Sequence, residues 1–319
     1  MTPPATALRP PLLVVLNASS GGGEASRTRE IIEAGCAAAG RDFHVYEVDA
    51  PGRLRACALE AVERACALHG VVVAAGGDGT INTVAQAALS SGCAFGVLPQ
   101  GTFNYFSRTH GIPADTAEAL ELLLEQTPRP VQVGMVNDRV FLVNASLGLY
   151  AKLLEDREAF KAQYGRHRWV AFWSGLVTIL RGVRPWYLHM AWHGQQRDVR
   201  TQTLFVANNA LQMHRVGLAE ANAPEQGQLA AIALKPQGAF AMLGLLARGA
   251  LGRLGDADSV LSFAFESMTV RPMRGRRRVK VAMDGEIDWL EMPLDFRVSP
   301  EPLWLIRPDV APELEATRQ

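Results

Sequence analysis

The chain has 319 residues, of which 48% are hydrophobic and 20% are charged, and this composition is typical of a folded globular protein. At about 150 residues per domain, the length predicts two domains. Lysine plus arginine and aspartate plus glutamate both total 32, so the net charge is zero and argues against a nucleic-acid partner. The four cysteines form no C-x-x-C pair, which favours reduced thiols in a cytoplasmic protein over a metal or redox site.

Residues 12–98 alternate short apolar runs with helical patterns. The apolar runs predict four buried strands with the sequences LLVVLN, HVYEV, VVVAA and AFGVL. Helices are predicted near residues 27–39 and 54–69 and from residue 81 onward. This alternation predicts an α/β fold with a doubly wound parallel sheet, in which ligands bind at the carboxyl ends of the strands.

After a predicted helix at 115–126, the pattern changes to paired strands and predicts an antiparallel β-sandwich-like domain with a helical insert. Strands are predicted at VQVGMV and RVFLVNAS and near 186–192, 201–208, 229–234, 262–270 and 277–283, and helices at 150–182 and 239–254. The most apolar windows are shorter than the roughly 20 residues that a membrane-spanning helix needs. We therefore expect domains at 10–135 and 136–308, with flexible tails at 1–9 and 309–319.

The most informative motif is GGDGTIN, which directly follows the predicted strand VVVAA. Glycine permits a sharp turn and lets backbone N–H groups approach phosphate oxygens, and the start of a helix adds its positive dipole end. Asp78 places a carboxylate where the Mg²⁺ of a nucleotide would lie. The structural alternative is an ordinary strand-to-helix turn with Asp78 or Thr80 as the N-cap.

Two further loops follow other predicted strands of the same sheet. Residues 17–23 read NASSGGG, and residues 98–106 read LPQGTFNYF. Neither is a Walker A sequence nor a G-x-G-x-x-G sequence. Because the carboxyl ends of parallel strands meet at one edge of the sheet, the three loops together predict one phosphate-binding site.

These motifs together resemble the diacylglycerol kinase catalytic family, and in particular its soluble bacterial lipid kinases. The resemblance rests on N-x-x-S-G at 17–21, G-G-D-G-T-I-N at 76–82, P-x-G-T-x-N at 99–104, NASLGLY at 144–150 and D-G-E at 284–286. It implies an N-terminal nucleotide domain, a C-terminal β-sandwich domain and an active site between them. It also implies ATP with Mg²⁺ and the phosphorylation of a lipid hydroxyl.

The resemblance assigns roles to individual positions. It implies ATP contacts for Asn17, Ser20, Gly21, Gly76, Gly77, Asp78, Gly79, Thr80, Ile81, Asn82 and Thr102. It implies that Glu286 accepts the proton of the lipid hydroxyl and that Asp78 acts in catalysis with the Mg²⁺ of ATP. Asp284 is interpreted as a structural or metal-network carboxylate, although D-G-E alone would indicate only a hairpin turn.

Three positions depart from the family pattern. Tyr105, Gln132 and Gln226 stand where many members of the family have aspartate, and Gln226 lies in the loop where the resemblance implies a structural Mg²⁺ site. An amide is a weak substitute for a carboxylate on a hard cation, so Gln226 argues against that site. The Mg²⁺ expected beside Asp78 is unaffected by them.

Two stretches are candidates for peripheral contact with the inner face of an anionic membrane. The first contains six cations in ten residues, namely Arg271, Arg274, Arg276, Arg277, Arg278 and Lys280, each worth about 1 kcal/mol near such a surface. The second mixes basic and aromatic residues, namely Arg166, His167, Arg168, Trp169, Phe172 and Trp173. The structural alternatives are a solvated strand, balanced by nearby acids such as Asp288, and an amphipathic helix packed on the core.

The pattern as a whole favours an ATP-dependent lipid kinase. A NAD kinase-like enzyme shares the G-G-D-G type of loop and is one alternative. A catalytically silent lipid-binding or regulatory protein is the other, and the departures at Tyr105, Gln132 and Gln226 motivate it. The sequence leaves diacylglycerol, phosphatidylglycerol, a sphingoid base and ceramide open as lipid substrates, and it leaves a homodimer open as well.

Overall fold

A computed structural model of the chain describes residues 9–18, 24–101, 103–149, 151–153, 155, 184–253, 255, 257–275 and 277–309. The chain divides into two units, which are residues 1–131 with 300–319 (unit 1) and residues 132–299 (unit 2). Most of the helix expected at 150–182, including its basic and aromatic stretch, lies outside the described residues, as do nearly all of both expected tails.

Among its described residues, unit 1 contains one six-stranded sheet and five α-helices. Its strands are β1 (Leu12–Asn17), β2 (Phe43–Val48), β3 (Val71–Gly76), β4 (Ala94–Pro99), β5 (Pro128–Val131) and, at the end of the chain, β18 (Leu303–Ile306). Its helices are α1 (Glu24–Ala38), α2 (Leu54–Ala67), α3 (Asp78–Ala88), α4 (Tyr105–Thr109) and α5 (Thr116–Glu125).

The order of the strands in this sheet is β2-β1-β3-β4-β18-β5, and the first four strands are parallel. All six residues of β3 are buried, as expected for a parallel strand covered on both faces. Helix α2 packs against α3, and α1 packs against α5. The predicted parallel α/β sheet is therefore confirmed.

One strand of this sheet, β18, follows unit 2 in the sequence. Strand β18 pairs parallel with β4 and antiparallel with β5. Without it, β4 would be an edge strand with a row of unsatisfied backbone groups. Residues up to 308 were expected in the second domain. Residues 300–309 belong to unit 1 instead, because the four-residue apolar run LWLI, which is β18, completes the sheet of unit 1.

Unit 2 consists of two six-stranded antiparallel sheets. Its strands are β6 (Gly134–Val136), β7 (Arg139–Phe141), β8 (Asn144–Gly148), β9 (Trp186–Trp192), β10 (Gln195–Thr201), β11 (Thr203–Ala207), β12 (Leu229–Leu234), β13 (Val260–Phe265), β14 (Ser267–Pro272), β15 (Arg278–Met283), β16 (Glu286–Glu291) and β17 (Leu294–Val298). The sheet orders are β10-β9-β14-β17-β6-β7 and β13-β12-β11-β8-β15-β16. Helices span Ala210–Val216 and Ala239–Ala250, and a 3₁₀ segment spans Ala219–Gln226.

One hydrophobic core joins residues from both sheets of unit 2. Phe141 and Phe296 come from the first sheet, and Leu147 and Phe265 come from the second, and all four side chains are almost fully buried. Burial of large side chains between two facing antiparallel sheets is the arrangement of a β-sandwich. The predicted sandwich-like second domain is therefore confirmed.

Several elements differ from the sequence expectation. The single strand predicted at 262–270 is two strands, β13 and β14, which lie in different sheets and are separated by Glu266. The run VQVGMV is likewise divided between β5 and β6. Strand β10 was not predicted, because five of its seven side chains are exposed and the apolar alternation that marks a strand is missing.

In the described part of the chain, no helix combines the length and the apolar character needed to cross a membrane.

Candidate functional site

The polar residues at the ends of β1 and β3 contact each other directly. Strand β1 lies between β2 and β3 in the sheet. The connection after β1 runs to one side of the sheet, towards β2, and the connection after β3 runs to the other side, towards β4. In open α/β sheets, ligands bind at such a point, outside the carboxyl ends of the two strands. The side-chain amide nitrogen of Asn17 donates a hydrogen bond of 2.9 Å to Thr80 Oγ1. Thr80 is only 3% exposed. The end of β1 and the first turn of α3 are therefore brought together.

Glycine is required where the loops after β3 and β4 approach each other. A Cβ atom on Gly76 would lie 2.6 Å from Thr80 Oγ1, and one on Gly101 would lie 3.3 Å from the Cα of Gly77. Gly77 is the N-cap of α3 and has an extended backbone. Bare backbone therefore lines this edge of the sheet at the start of a helix, which is the arrangement that accommodates phosphate oxygens.

The loop after β4 is tied to its neighbours by residues that the sequence analysis did not assign to the site. The backbone N–H of Gln100 donates to Gly76 O at 2.9 Å, and its side-chain amide donates to Thr28 Oγ1 at 2.6 Å. The N–H of Gly101 donates to Asn104 Oδ1 at 3.1 Å. A polar residue directly after a buried strand was the one available signal for Gln100. A cavity of about 290 Å³ lies beside this loop.

The chemistry of these loops fits phosphate groups better than a metal bound by protein side chains alone. Asp78 lies in the first turn of α3, next to Thr80 and Asn82. Within the described ranges, no group of three or more His, Cys, Asp or Glu side chains could hold a metal ion. A divalent cation at Asp78 would therefore need further oxygen ligands, which nucleotide phosphates supply.

The predicted phosphate site is described in part. Asn17 and residues Gly76, Gly77, Asp78, Gly79, Thr80, Ile81 and Asn82 lie together at the ends of β1 and β3. Ser20, Gly21 and Thr102 lie outside the described residues.

The D-G-E motif forms the turn between β15 and β16 in unit 2. Asp284 and Gly285 both have positive φ values, 48° and 92°, as in the tight turns of two-residue hairpins. Asp284 Oδ2 accepts a hydrogen bond from the N–H of Leu142 at 2.7 Å, and Oδ1 accepts from Val143 at 2.9 Å and Asn144 at 3.0 Å. Three backbone N–H groups thus bind this carboxylate. Asp284 was expected to be either a structural or a metal-network carboxylate, and these bonds fit the structural role.

Glu286 is the first residue of β16, and its side chain retains contact with solvent. Desolvation by the surrounding protein raises the pKa of Glu286, and the negative charges of Asp284 and Asp288 raise it further. Asp288 forms an ion pair of 2.8 Å with Arg139. A carboxylate whose pKa is raised binds a proton more readily, as a general base must.

At Gln132, an amide network stands where many members of the family have aspartate. The side-chain nitrogen of Gln132 donates to Asn208 Oδ1 at 2.7 Å and to Gln228 O at 3.1 Å. The amide nitrogen of Asn208 donates in turn to the carbonyls of Gln132 and Leu142. An aspartate at position 132 could make neither of the two bonds that Gln132 donates. Gln132 therefore takes part in a network of amides and offers no carboxylate to a cation.

Comparison with known proteins relates unit 1 to lipid kinases. Residues 11–136 match the family model for the diacylglycerol kinase catalytic domain. A probable lipid kinase, YegS-like, from Pseudomonas aeruginosa is 38% identical over 145 residues, which are 44% of this chain and 45% of the relative. A diacylglycerol kinase from Bacillus subtilis is 33% identical over 129 residues, which are 39% of this chain and 42% of the relative. The chain thus spans less than half the length of these relatives.

The fold extends the likeness over both units. A crystal structure of a diacylglycerol kinase from Bacillus anthracis aligns with a TM-score of 0.66 and 18% sequence identity. The alignment covers 94% of this chain and 98% of that one. At this identity, the comparison establishes a shared fold and leaves the chemistry to the residues of the site.

Proposed function

We propose that this chain, whose residues 11–136 match the family model for the diacylglycerol kinase catalytic domain, is a kinase that transfers the γ-phosphoryl group of ATP to a lipid hydroxyl. The observation that carries the proposal is the hydrogen bond from Asn17 to Thr80 beside the glycine backbone of Gly76 and Gly77. It joins two loops at the point in the sheet where a nucleotide phosphate is expected.

Unit 1 would supply electrostatic stabilisation. The proposed phosphate contacts are Asn17, Ser20, Gly21, residues 76–82 and Thr102. Backbone N–H groups at the start of α3 stabilise the charge on phosphate oxygens. Asp78 would hold the Mg²⁺ that accompanies ATP, and this ion, when bound, neutralises charge on the phosphates.

Unit 2 would supply the base. As the lipid oxygen forms its bond to the γ-phosphorus, the hydroxyl proton passes to a carboxylate oxygen of Glu286, and the bond between the γ-phosphorus and its bridging oxygen breaks. The products are ADP and a lipid phosphate monoester. The three amides on Asp284 hold the turn that carries Glu286, so we assign Asp284 a positioning role and not a metal-binding one.

The proposed acceptor is a lipid with a free hydroxyl, such as diacylglycerol, phosphatidylglycerol, a sphingoid base or ceramide. A labelled-ATP assay over these four lipids in mixed vesicles, with Mg²⁺ and resolved lipid products, tests the proposal directly. We expect one lipid to acquire label at a rate well above the others. Glu286→Gln should lower that rate about 10²- to 10⁴-fold. Glu291→Gln, at the other end of β16, serves as the matched control.

The alternatives give different results in the same assay when NAD is added as a further acceptor and vesicle binding is measured alongside. Transfer of label to NAD, with no lipid labelled, would favour the NAD kinase-like reading. Vesicle binding without turnover of any lipid would favour a silent lipid-binding protein. The proposed catalytic residues Asp78 and Glu286 are present in the chain despite the departures at Gln132 and Gln226, which supports an active enzyme.

A further inference from the structure

Unit 2 contains a cavity of about 660 Å³ that the proposed reaction does not use. It is bordered by β9, by β15 and β16, by the turn before β15 and by described residues between 148 and 155. Glu286 and the nucleotide loops are not among the described residues that line it. We call it the basic cavity.

The basic cavity concentrates positive charge in a chain whose net charge is zero. Its described lining contains five cations, namely Lys152, Arg184, Arg274, Arg278 and Lys280. The carboxylate among the described lining residues is Glu155, which forms ion pairs with Lys152, at 3.3 Å, and with Lys280. The hydrogen bond from Lys280 is the main cause that lowers the pKa of Glu155, so this carboxylate stays ionised and offsets one of the five charges.

Two acids near the Arg271–Lys280 stretch make contacts with other groups. Asp284 accepts three backbone hydrogen bonds, and Asp288 pairs with Arg139. Glu291 lies across from Arg278 in the register of β15 and β16, and it is not among the described residues that line the cavity. The charge of the cavity favours an anionic ligand.

Two of these cations are positioned by an aromatic ring. Lys280 lies directly across from Trp289 in the register of β15 and β16. Lys280 Nζ is 5.2 Å from the centre of the Trp289 ring, and Arg278 Cζ is 5.8 Å from it. Cations held over an aromatic face lose less side-chain freedom when they bind an anion, so the site is partly preorganised.

Exposed apolar groups surround the cations. Trp289 is 53% exposed, and Tyr187 and Met273 are each 49% exposed. The N–H of Met273 donates to Tyr187 O at 2.9 Å, which places these two residues side by side next to Arg274. Tryptophan and tyrosine beside lysine and arginine are typical of surfaces that lie in the headgroup region of a bilayer.

We propose that the basic cavity binds the phosphate group of an anionic membrane lipid. The guanidinium groups of Arg274 and Arg278 can each donate two parallel hydrogen bonds to phosphate oxygens. A phosphate monoester carries nearly two negative charges at neutral pH, which suits the four net positive charges of the described lining residues, five cations less Glu155. The exposed rim of Tyr187, Met273 and Trp289 favours a headgroup in a bilayer over a small soluble phosphate. The proposal does not depend on kinase activity.

The test compares two double variants that remove equal charge. Arg274→Gln with Arg278→Gln removes two cations from the cavity. Arg271→Gln with Arg277→Gln removes two exposed cations of the same segment that are not among its described lining residues. Each protein is sedimented without ATP with phosphatidylcholine vesicles containing one part in five of phosphatidic acid, which has no hydroxyl acceptor on its glycerol. Thermal unfolding of each variant checks that it is folded.

We expect the cavity variant to bind these vesicles more than about 30-fold more weakly than the unmodified protein, because it loses direct hydrogen bonds to the phosphate as well as two surface charges. The control variant loses surface charge alone and should be affected much less. Trp289→Ala should also weaken binding. An equal loss in both double variants would overturn the proposal, because general surface charge would then explain binding. Equal displacement by glycerol 3-phosphate at the same phosphate concentration would overturn the assignment to a lipid. Because no ATP is present, failure here is separate from failure of the kinase assay.

Discussion

The side-chain amide of Asn17, the last residue of β1, donates a hydrogen bond of 2.9 Å to the hydroxyl of Thr80 in the first turn of α3. These residues are 63 positions apart in the sequence. A Cβ on Gly76 would lie 2.6 Å from the same hydroxyl oxygen, so Gly76, Thr80 and Asn17 form one packed group. The proposed phosphate site therefore depends on a contact between the end of β1 and the first turn of α3 and not on either segment alone.

Removing the Thr80 hydroxyl should weaken this group. Thr80→Val keeps the shape of the side chain but removes the acceptor for Asn17, and we expect a loss of about 1 kcal/mol in stability together with weaker ATP binding. Thr80→Ser keeps a hydroxyl and should remain close to the unmodified protein. Asn17→Ala combined with Thr80→Val should cost less than the sum of the single changes, as measured by urea unfolding and ATP titration. Additive losses would show that the bond does not couple the loops.

The phosphate loops could be predicted because their signals are local. A buried apolar run followed by Gly76, Gly77 and Asp78 determines both the strand and the turn after it. The contact from Asn17 to Thr80 could not be predicted residue by residue, because it depends on the positions of β1 and β3 in the sheet. Gln100 was missed for the same reason, since its partners Thr28 and Gly76 come from other segments of the chain.

The second unit was harder to predict because its strands are short and partly exposed. The sequence QQRDVRT of β10 has no clear alternation of apolar and polar residues. Strand β18 has four residues, and its place between β4 and β5 follows from tertiary pairing. The basic cavity was not predicted. Arg274, Arg278 and Lys280 fall in the basic run of the sequence, but Lys152 and Arg184 lie far from that run, and only the fold brings them to it.

Asp78→Asn should abolish phosphoryl transfer while leaving the protein folded. The amide cannot replace a carboxylate as a ligand of Mg²⁺ beside the phosphates, although it can still act at the start of α3. Glu118→Gln is a suitable control, because Glu118 is an acidic residue in the first turn of α5 in the same unit. The measurement is lipid phosphorylation at saturating lipid, with thermal unfolding of both variants. Near-normal turnover of Asp78→Asn would remove Asp78 from the site.

Asp284→Asn should lower stability and disturb the turn that carries Glu286. The amide nitrogen that replaces one carboxylate oxygen cannot accept from a backbone N–H, so at least one of the three bonds to Leu142, Val143 and Asn144 is lost. Loss of a hydrogen bond to a charged group typically lowers the free energy of unfolding by about 1.5–3 kcal/mol. Urea unfolding of the variant and of the unmodified protein measures this loss. Asp198→Asn, at an exposed carboxylate that bonds His189, should leave stability nearly unchanged. Equal stability of the two variants would contradict the positioning role.

His110 should make the fold less stable in mild acid. Burial lowers the pKa of His110 to about 3, and the positive charge of Arg307 contributes. The unfolded chain protonates this imidazole near pH 6.5, so below that pH the unfolded state binds more protons and stability falls until the pH nears the folded value. His110 alone should account for about 2 kcal/mol of loss between pH 6.5 and pH 5.

Urea unfolding at several pH values measures this dependence. His110→Gln should flatten the fall in the free energy of unfolding over that interval, because the replacement does not titrate. His44→Gln, at an exposed histidine of β2, should leave the slope unchanged. A slope that is the same in all three proteins would show that His110 does not govern acid stability.

Glu286 should determine the acid limb of the pH–rate profile. Because desolvation and the charges of Asp284 and Asp288 raise its pKa, the proposed base becomes protonated, and kcat falls, at a pH above the ordinary value of 4.5 for glutamate. Asp288→Asn removes one of the two like charges, so the pKa of Glu286 should fall and this limb should move to lower pH. The change also leaves the positive charge of Arg139 without its acidic partner, which favours the same shift. Asp295→Asn, at a carboxylate that bonds Thr269 in the other sheet of unit 2, should leave the limb in place. Profiles of kcat at saturating ATP and lipid measure the position of the acid limb. If the limb does not move in Asp288→Asn, another group titrates there, and Glu286 is not the base.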